Sequence, residues 1–192
     1  VVRGDPTTRL ADFIAAGREL VALGCDGIAT NCGFLALLQA EMAAALGVPV
    51  ATSALMQAPL IAATLPPGRH VAILTISAAT LSPQHLAAAA VALDTPVVGT
   101  NPDGAFTSGI LGDARSIDFA ACRQDMLDAA ADLVAQYPRT GAILLECTNM
   151  VPYAADVRAH TGLPVFSIHS YISWFQAGLL PRTFASEIYD RR

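Results

Sequence analysis

The chain contains no lysine: all 11 of its positively charged residues are arginines. That excludes the lysine Schiff base of pyridoxal enzymes and the lysine of a nucleotide-binding P-loop. Charge is scarce altogether, at 14% of residues, and the net balance of −5 offers no basic footprint for nucleic acid. The four cysteines, Cys25, Cys32, Cys122 and Cys147, include no CxxC pair, so nothing in their spacing suggests a metal site. In a chain of 192 residues, long enough to build its own core, they read as free thiols in a reducing cytoplasm. No uninterrupted apolar run of membrane length is present either. The best stretch, residues 42–65, is broken by Gly47, Pro49, Thr52, Ser53, Gln57 and Pro59, into pieces shorter than the ~20 residues a spanning helix requires. No secretion leader is visible, and an opening on Val1 reads as a lost beginning.

What is abundant is apolar sequence, 54% of residues with a mean hydropathy of +0.49. Such a composition points to parallel strands buried on both faces beneath helices. Helical spacing predicts a helix over 7–23 capped by Thr7 or Thr8, then a strand over 27–30, a polar turn, and a helix over 34–46 closed by Gly47. A strand over 48–52 and a helix over 56–65 complete a βαβα unit. Leu65-Pro66-Pro67-Gly68-Arg69 punctuates the chain. Beyond it come a strand over 70–76, a helix over 83–93, a strand over 96–100 and a polar loop over 101–113, read as a solvated turn or a lid. A helix over 118–137, a strand over 141–146, a helix over 153–160 and a strand over 164–168 follow, with Trp174, Phe175 and the arginine-containing tail returning to the first half. The expected division is a first lobe of 1–66 plus 165–192, lacking its first strand ahead of residue 1, and a second lobe of 67–164.

Strand, polar turn and helix recur around a cysteine in each half: Thr30-Asn31-Cys32 in one, Cys147-Thr148-Asn149 in the other. Open α/β sheets bind ligands at the carboxyl ends of their strands, where the next helix presents unpaired N–H groups and a partial positive charge. That environment is expected to favour thiolate and to hold a substrate carboxylate. One cysteine on each face of a substrate carbon can remove a proton from one side and return it from the other, needing in principle neither metal nor organic cofactor. Cys25 and Cys122 read as core. Glu146 alternates away from Cys147 along its strand and is expected to be held by backbone or arginine, and His85 to lie on a helix surface or the site rim.

The motifs T-N-C-G at Thr30 to Gly33 and E-C-T-N at Glu146 to Asn149 resemble the paired cysteine motifs of the aspartate/glutamate racemase superfamily, which includes amino-acid and hydantoin racemases, arylmalonate decarboxylases and maleate isomerases. Ser77-Ala78-Ala79-Thr80 resembles its hydroxyl-bearing loop. The resemblance implies an α/β fold of two pseudo-symmetric Rossmann-like lobes with parallel sheets flanked by helices and the active site between them. It implies catalytic Cys32 and Cys147, with Asn31, Gly33, Ser77, Thr80, Thr148 and Asn149 binding substrate, His169 assisting, and no metal or cofactor. Asn149 departs from the histidine common at that place in amino-acid racemases. The expected activity is cofactor-independent racemisation or epimerisation of a small carboxylate or hydantoin-like substrate, an isomerase reaction. The alternatives are a cysteine-dependent decarboxylase or cis–trans isomerase of the same superfamily, or a non-catalytic small-molecule binding protein. Decarboxylases of the superfamily generally keep only the second cysteine, so two cysteines speak against that alternative. A small-molecule substrate is the expected partner, with no nucleic acid or membrane, and a homo-oligomer is left open.

Overall fold

The computed structural model describes residues 2 and 4–184. The strand expected ahead of residue 1 and the tail from residue 185 lie outside them.

The chain begins with a 3-10 turn, Pro6–Arg9, capped by the Asp5 carboxylate, which accepts the Thr7 N–H at 2.9 Å. Asp5 therefore replaces Thr7 or Thr8 as the cap, and helix α1 runs Leu10–Ala22. β1 (Ile28–Ala29) leads through Asn31 and Cys32 into a 3-10 turn, Gly33–Leu38, continued by α2 (Gln39–Leu46). Gly47 ends α2 at φ +68°, a left-handed position that suits glycine. β2 (Val50–Ala51) and α3 (Ala58–Thr64) follow. β1 and β2 pair in parallel, Ile28 opposite Val50 and Ala29 opposite Ala51.

The second sheet holds β3 (His70–Thr75), β4 (Val97–Gly99), β5 (Thr140–Leu145) and β6 (Val165–Phe166) in the order β4-β3-β5-β6, every pair parallel. Val71 to Leu74 and Ala142 to Leu145 are buried without alternation, as expected of central strands covered on both faces. This is the α/β fold of parallel sheets flanked by helices that the sequence implies. Val165–Phe166, grouped by the sequence with the first lobe, hydrogen-bonds to β5 in the larger sheet.

α4 (Pro83–Ala88) is capped by Ser82, which leaves Ser77 and Thr80 out of that role. It stops short of the expected residue 93, and Ala90 turns left-handed at φ +56°. The expected polar loop of 101–113 contains a helix, α5 (Ala105–Leu111). Phe106 anchors it, fully buried and edge-on to Tyr153 with centroids 6.0 Å apart, and Asp125 accepts the Phe106 N–H at 2.9 Å. Residues 105–111 are thus packed helix rather than a solvated turn or a lid, while Asn101 to Asp103 do form an exposed turn, with the Asp103 N–H donating to Asn101 Oδ1 at 3.1 Å. α6 (Phe119–Gln136), capped by Asp118, buries Cys122, Met126, Leu127, Ala130 and Leu133 as its spacing predicts, while Phe119 remains exposed. α7 (Ala154–Thr161) precedes β6.

Beyond β6, where the sequence reading names no further element, the chain forms a helix, α8 (Ile168–Leu179). Its Phe175 and Leu179 press on Gly27 beside β1, and Ser170 Oγ donates to Gln57 Oε1 at 2.9 Å, so it does return to the first half. Cys122 is core as expected, whereas Cys25 lies exposed after α1. No helix among the described residues is long and apolar enough to cross a membrane.

Candidate active site

Each half of the chain delivers one cysteine in the same way. Cys32 and Cys147 both hold extended backbone, at φ −133° and −84°, immediately before a 3-10 turn: Gly33–Leu38 and Thr148–Tyr153. Strands β1 and β5 aim their carboxyl ends at one another, and the two cysteines meet as an isolated antiparallel bridge, 115 residues apart in sequence, between otherwise parallel sheets. The Thr148 hydroxyl donates to the Asn31 carbonyl, a second stitch across the seam. Asn149 Nδ2 stands 3.9 Å from Cys147 Sγ.

A cavity of about 220 Å³ opens at this seam. Asn31, Cys32, Gly33, Cys147, Thr148 and Asn149 line it, all six expected from the sequence, together with Glu146 and apolar Phe34, Ile76, Ile110 and Leu111. Ser77 and Thr80 line an adjoining cavity of about 430 Å³ that shares Ile76 and Leu111 with the first. His169 lies outside both linings, exposed on the first turn of α8.

Glu146 corrects the sequence reading. It does not turn away to a backbone or arginine partner: it forms the cavity floor, 1% exposed, and its Oε2 accepts the Thr75 hydroxyl at 2.8 Å. Thr75 Oγ1 in turn accepts the Ser77 N–H at 3.3 Å, tying the Ser77–Thr80 loop to the carboxylate. Burial raises the Glu146 pKa to about 7, against the lowering effect of bonds from Thr75 and from the Ile76 backbone. The signal for Glu146 was present as a lone carboxylate closing the otherwise apolar run Gly141 to Leu145.

The thiols are not activated in the resting site. Burial, then the charge of Glu146, raises the Cys32 pKa, outweighing the N–H groups of Phe34 and Leu35 that lower it. The same two causes push Cys147 up to about 12 despite the Asn149 N–H. The expected preference for thiolate at a helix start is real in sign but smaller than desolvation beside a carboxylate. His85 is buried rather than on the rim: its Nδ1 meets Ser82 Oγ at 2.8 Å and its ring stands edge-on to Phe34, centroids 5.0 Å apart, behind the cavity wall.

No protein-family model matches the chain. Among curated proteins it is similar to dimethylsulfoniopropionate lyase 7 of Emiliania huxleyi (strain CCMP1516), 31% identical over 178 residues that cover 88% of this chain and 52% of that protein. A dimethylsulfoniopropionate lyase of Durusdinium sp. clade D is 29% identical over 163 residues, 82% of this chain and 54% of that one. The chain thus spans about half the length of these curated relatives. Among solved structures it is similar to arylmalonate decarboxylase, with a TM-score of 0.64 at 19% identity over 95% of this chain and 81% of the other. Allantoin racemase from Pseudomonas fluorescens gives a TM-score of 0.58 at 18% identity, over 97% and 82%. The relatives named as lyases overturn the expected racemase or epimerase activity and its isomerase class. Two cysteines on one cavity are as compatible with removing a proton for good as with returning it, and sequence spacing does not separate the two outcomes.

Proposed function

Because the chain has the fold of the aspartate/glutamate racemase superfamily and its similar curated proteins are lyases of dimethylsulfoniopropionate, we propose that it is a cysteine-dependent lyase. It acts on a small propionate that bears a sulfonium leaving group at the β-carbon. The observation that carries this reading is the pairing of Cys32 with Cys147 across a single cavity of about 220 Å³. That size lies below the ~300–1,000 Å³ of ordinary ligand pockets and suits a substrate of few heavy atoms.

In this reading the substrate carboxylate lies between Asn31 and Asn149, whose side-chain amides stabilise the charge that develops as the α-proton leaves, while the Thr148 hydroxyl holds the Asn31 backbone in place. Cys32 serves as base, since the N–H groups of Phe34 and Leu35 turn toward it and it carries the smaller burden of burial. Cys147, held protonated, donates to the enolate-like oxygen. The C–H electron pair becomes the C=C bond and the C–S pair leaves with sulfur. The α-proton passes to the Cys32 thiolate, and dimethyl sulfide and acrylate result. A positive sulfonium entering the cavity offsets the Glu146 charge and lowers both thiol pKa values, so substrate binding itself favours the base.

Headspace gas chromatography of dimethyl sulfide from dimethylsulfoniopropionate tests the proposal. The wild-type chain should release it, and Cys32→Ser or Cys147→Ser should reduce kcat by about 10²-fold or more. Undiminished release from both serine variants would remove the cysteines from the mechanism. No release from the wild type would remove this substrate class.

A further inference from the structure

Glu146 is a carboxylate on the floor of the cavity, in contact with the space a substrate would fill and yet 1% exposed. One oxygen is taken by the Thr75 hydroxyl at 2.8 Å, and the other packs against Gly33 at the foot of the opposite cysteine turn. Around it stand two thiols and the apolar side chains of Phe34, Ile76, Ile110 and Leu111. A carboxylate in such surroundings is costly to ionise unless a positive charge joins it.

We propose that Glu146 is the specificity-determining residue of this cavity, its carboxylate serving as counter-ion for a permanently cationic onium group on the β-carbon of the substrate. The inference rests on the reading of the site as a lyase of β-substituted propionates and assigns a feature of the substrate to one residue. It explains why a carboxylate lies beside two thiols whose ionisation it opposes. Its charge is wanted for recognition, and the cation that answers it relieves the thiols in the same step. Selection by charge also rejects uncharged thioether acids of similar shape, which carry a poor leaving group and would otherwise occupy the cavity.

The test uses two probes of nearly identical shape that differ in charge, 3-(trimethylammonio)propionate and 4,4-dimethylpentanoate, with binding measured by calorimetry. At about pH 8, where the Glu146 carboxyl is ionised, the wild type should bind the cationic probe at least about tenfold more tightly. Glu146→Gln should bring the two affinities within about twofold. Should that variant fail to fold, the wild type decides alone. At about pH 5.5 its preference should shrink severalfold as Glu146 takes up a proton. Of the other titratable groups packed around the carboxylate, Cys32 and Cys147 are held above their ordinary pKa in the free protein, and burial holds His85, behind Phe34, below its own. Equal affinities in the wild type, binding of neither probe, or a preference that survives Glu146→Gln overturns the inference. Dimethyl sulfide release measured alongside separates the two readings: release without charge preference sinks the counter-ion role alone, and a Glu146-dependent preference without release supports that role while sinking the lyase.

Discussion

Gly33 shows how closely the two halves meet at single-residue scale. A Cβ placed there would overlap Glu146 Oε1 and stand 2.7 Å from its Cγ. Gly33→Ala should therefore displace the carboxylate, costing about 1–3 kcal/mol of stability and reducing kcat/KM by about tenfold or more, as chemical denaturation and steady-state kinetics would record. Glu146 itself makes stability depend on pH. Its pKa is raised on folding from 4.5 to about 7, so the folded state holds the proton more tightly than the unfolded chain does. The stabilisation is complete below about 4.5, declines as pH rises, and is gone above about 7, a loss of about 3 kcal/mol. Thermal unfolding followed between these limits should show the midpoint falling in the wild type and flat in Glu146→Gln.

At the scale of elements, α5 carries the wall of the site and depends on a contact from outside itself. Asp125 on α6 accepts the Phe106 N–H at 2.9 Å and packs against Gly104, supplying the cap that Gly104 cannot. Asp125→Ala should cost about 1 kcal/mol and loosen Ile110 and Leu111, raising KM more than it lowers kcat in initial-rate measurements. The same helix shows where the sequence was legible and where it was not. Strands β3 and β5 announce themselves as unbroken apolar runs, and the turns bearing Cys32 and Cys147 as repeated Thr, Asn and Cys at strand ends. α5 is only seven residues long, follows the polar turn Asn101-Pro102-Asp103-Gly104 and carries Thr107, Ser108 and Gly109 in its middle, so its formation depends on the buried Phe106 and on an aspartate 19 residues away. The role of Glu146 is hidden in the sequence for a related reason. Alternation along a strand tells which face a side chain takes, but not that the facing element is the glycine of the other cysteine turn. The altered thiols follow from the same neighbour, since a helix start can be read from sequence and a carboxylate folded against it cannot.

At the scale of the whole molecule, every strand pairing within a sheet among the described residues is parallel. Parallel neighbours are joined only through crossovers, so among the described residues no hairpin offers an early local step in folding. Helices can form within their own segments, but the sheets require chain ends that are far apart in sequence to find one another, with loop-closure entropy lost beforehand. Each cysteine is positioned by the strand before it, so the expectation is that Cys32 meets Cys147 only after both sheets have formed. On dilution from denaturant, helical signal in far-ultraviolet circular dichroism should therefore return well before the proposed release of dimethyl sulfide, with a separate slower rate for the latter. Coincident recovery would mean that the seam forms together with the helices. The antiparallel bridge between two parallel sheets would thus also be a clock: under the proposed function, a newly made chain stays inert until segments 115 residues apart have closed on each other.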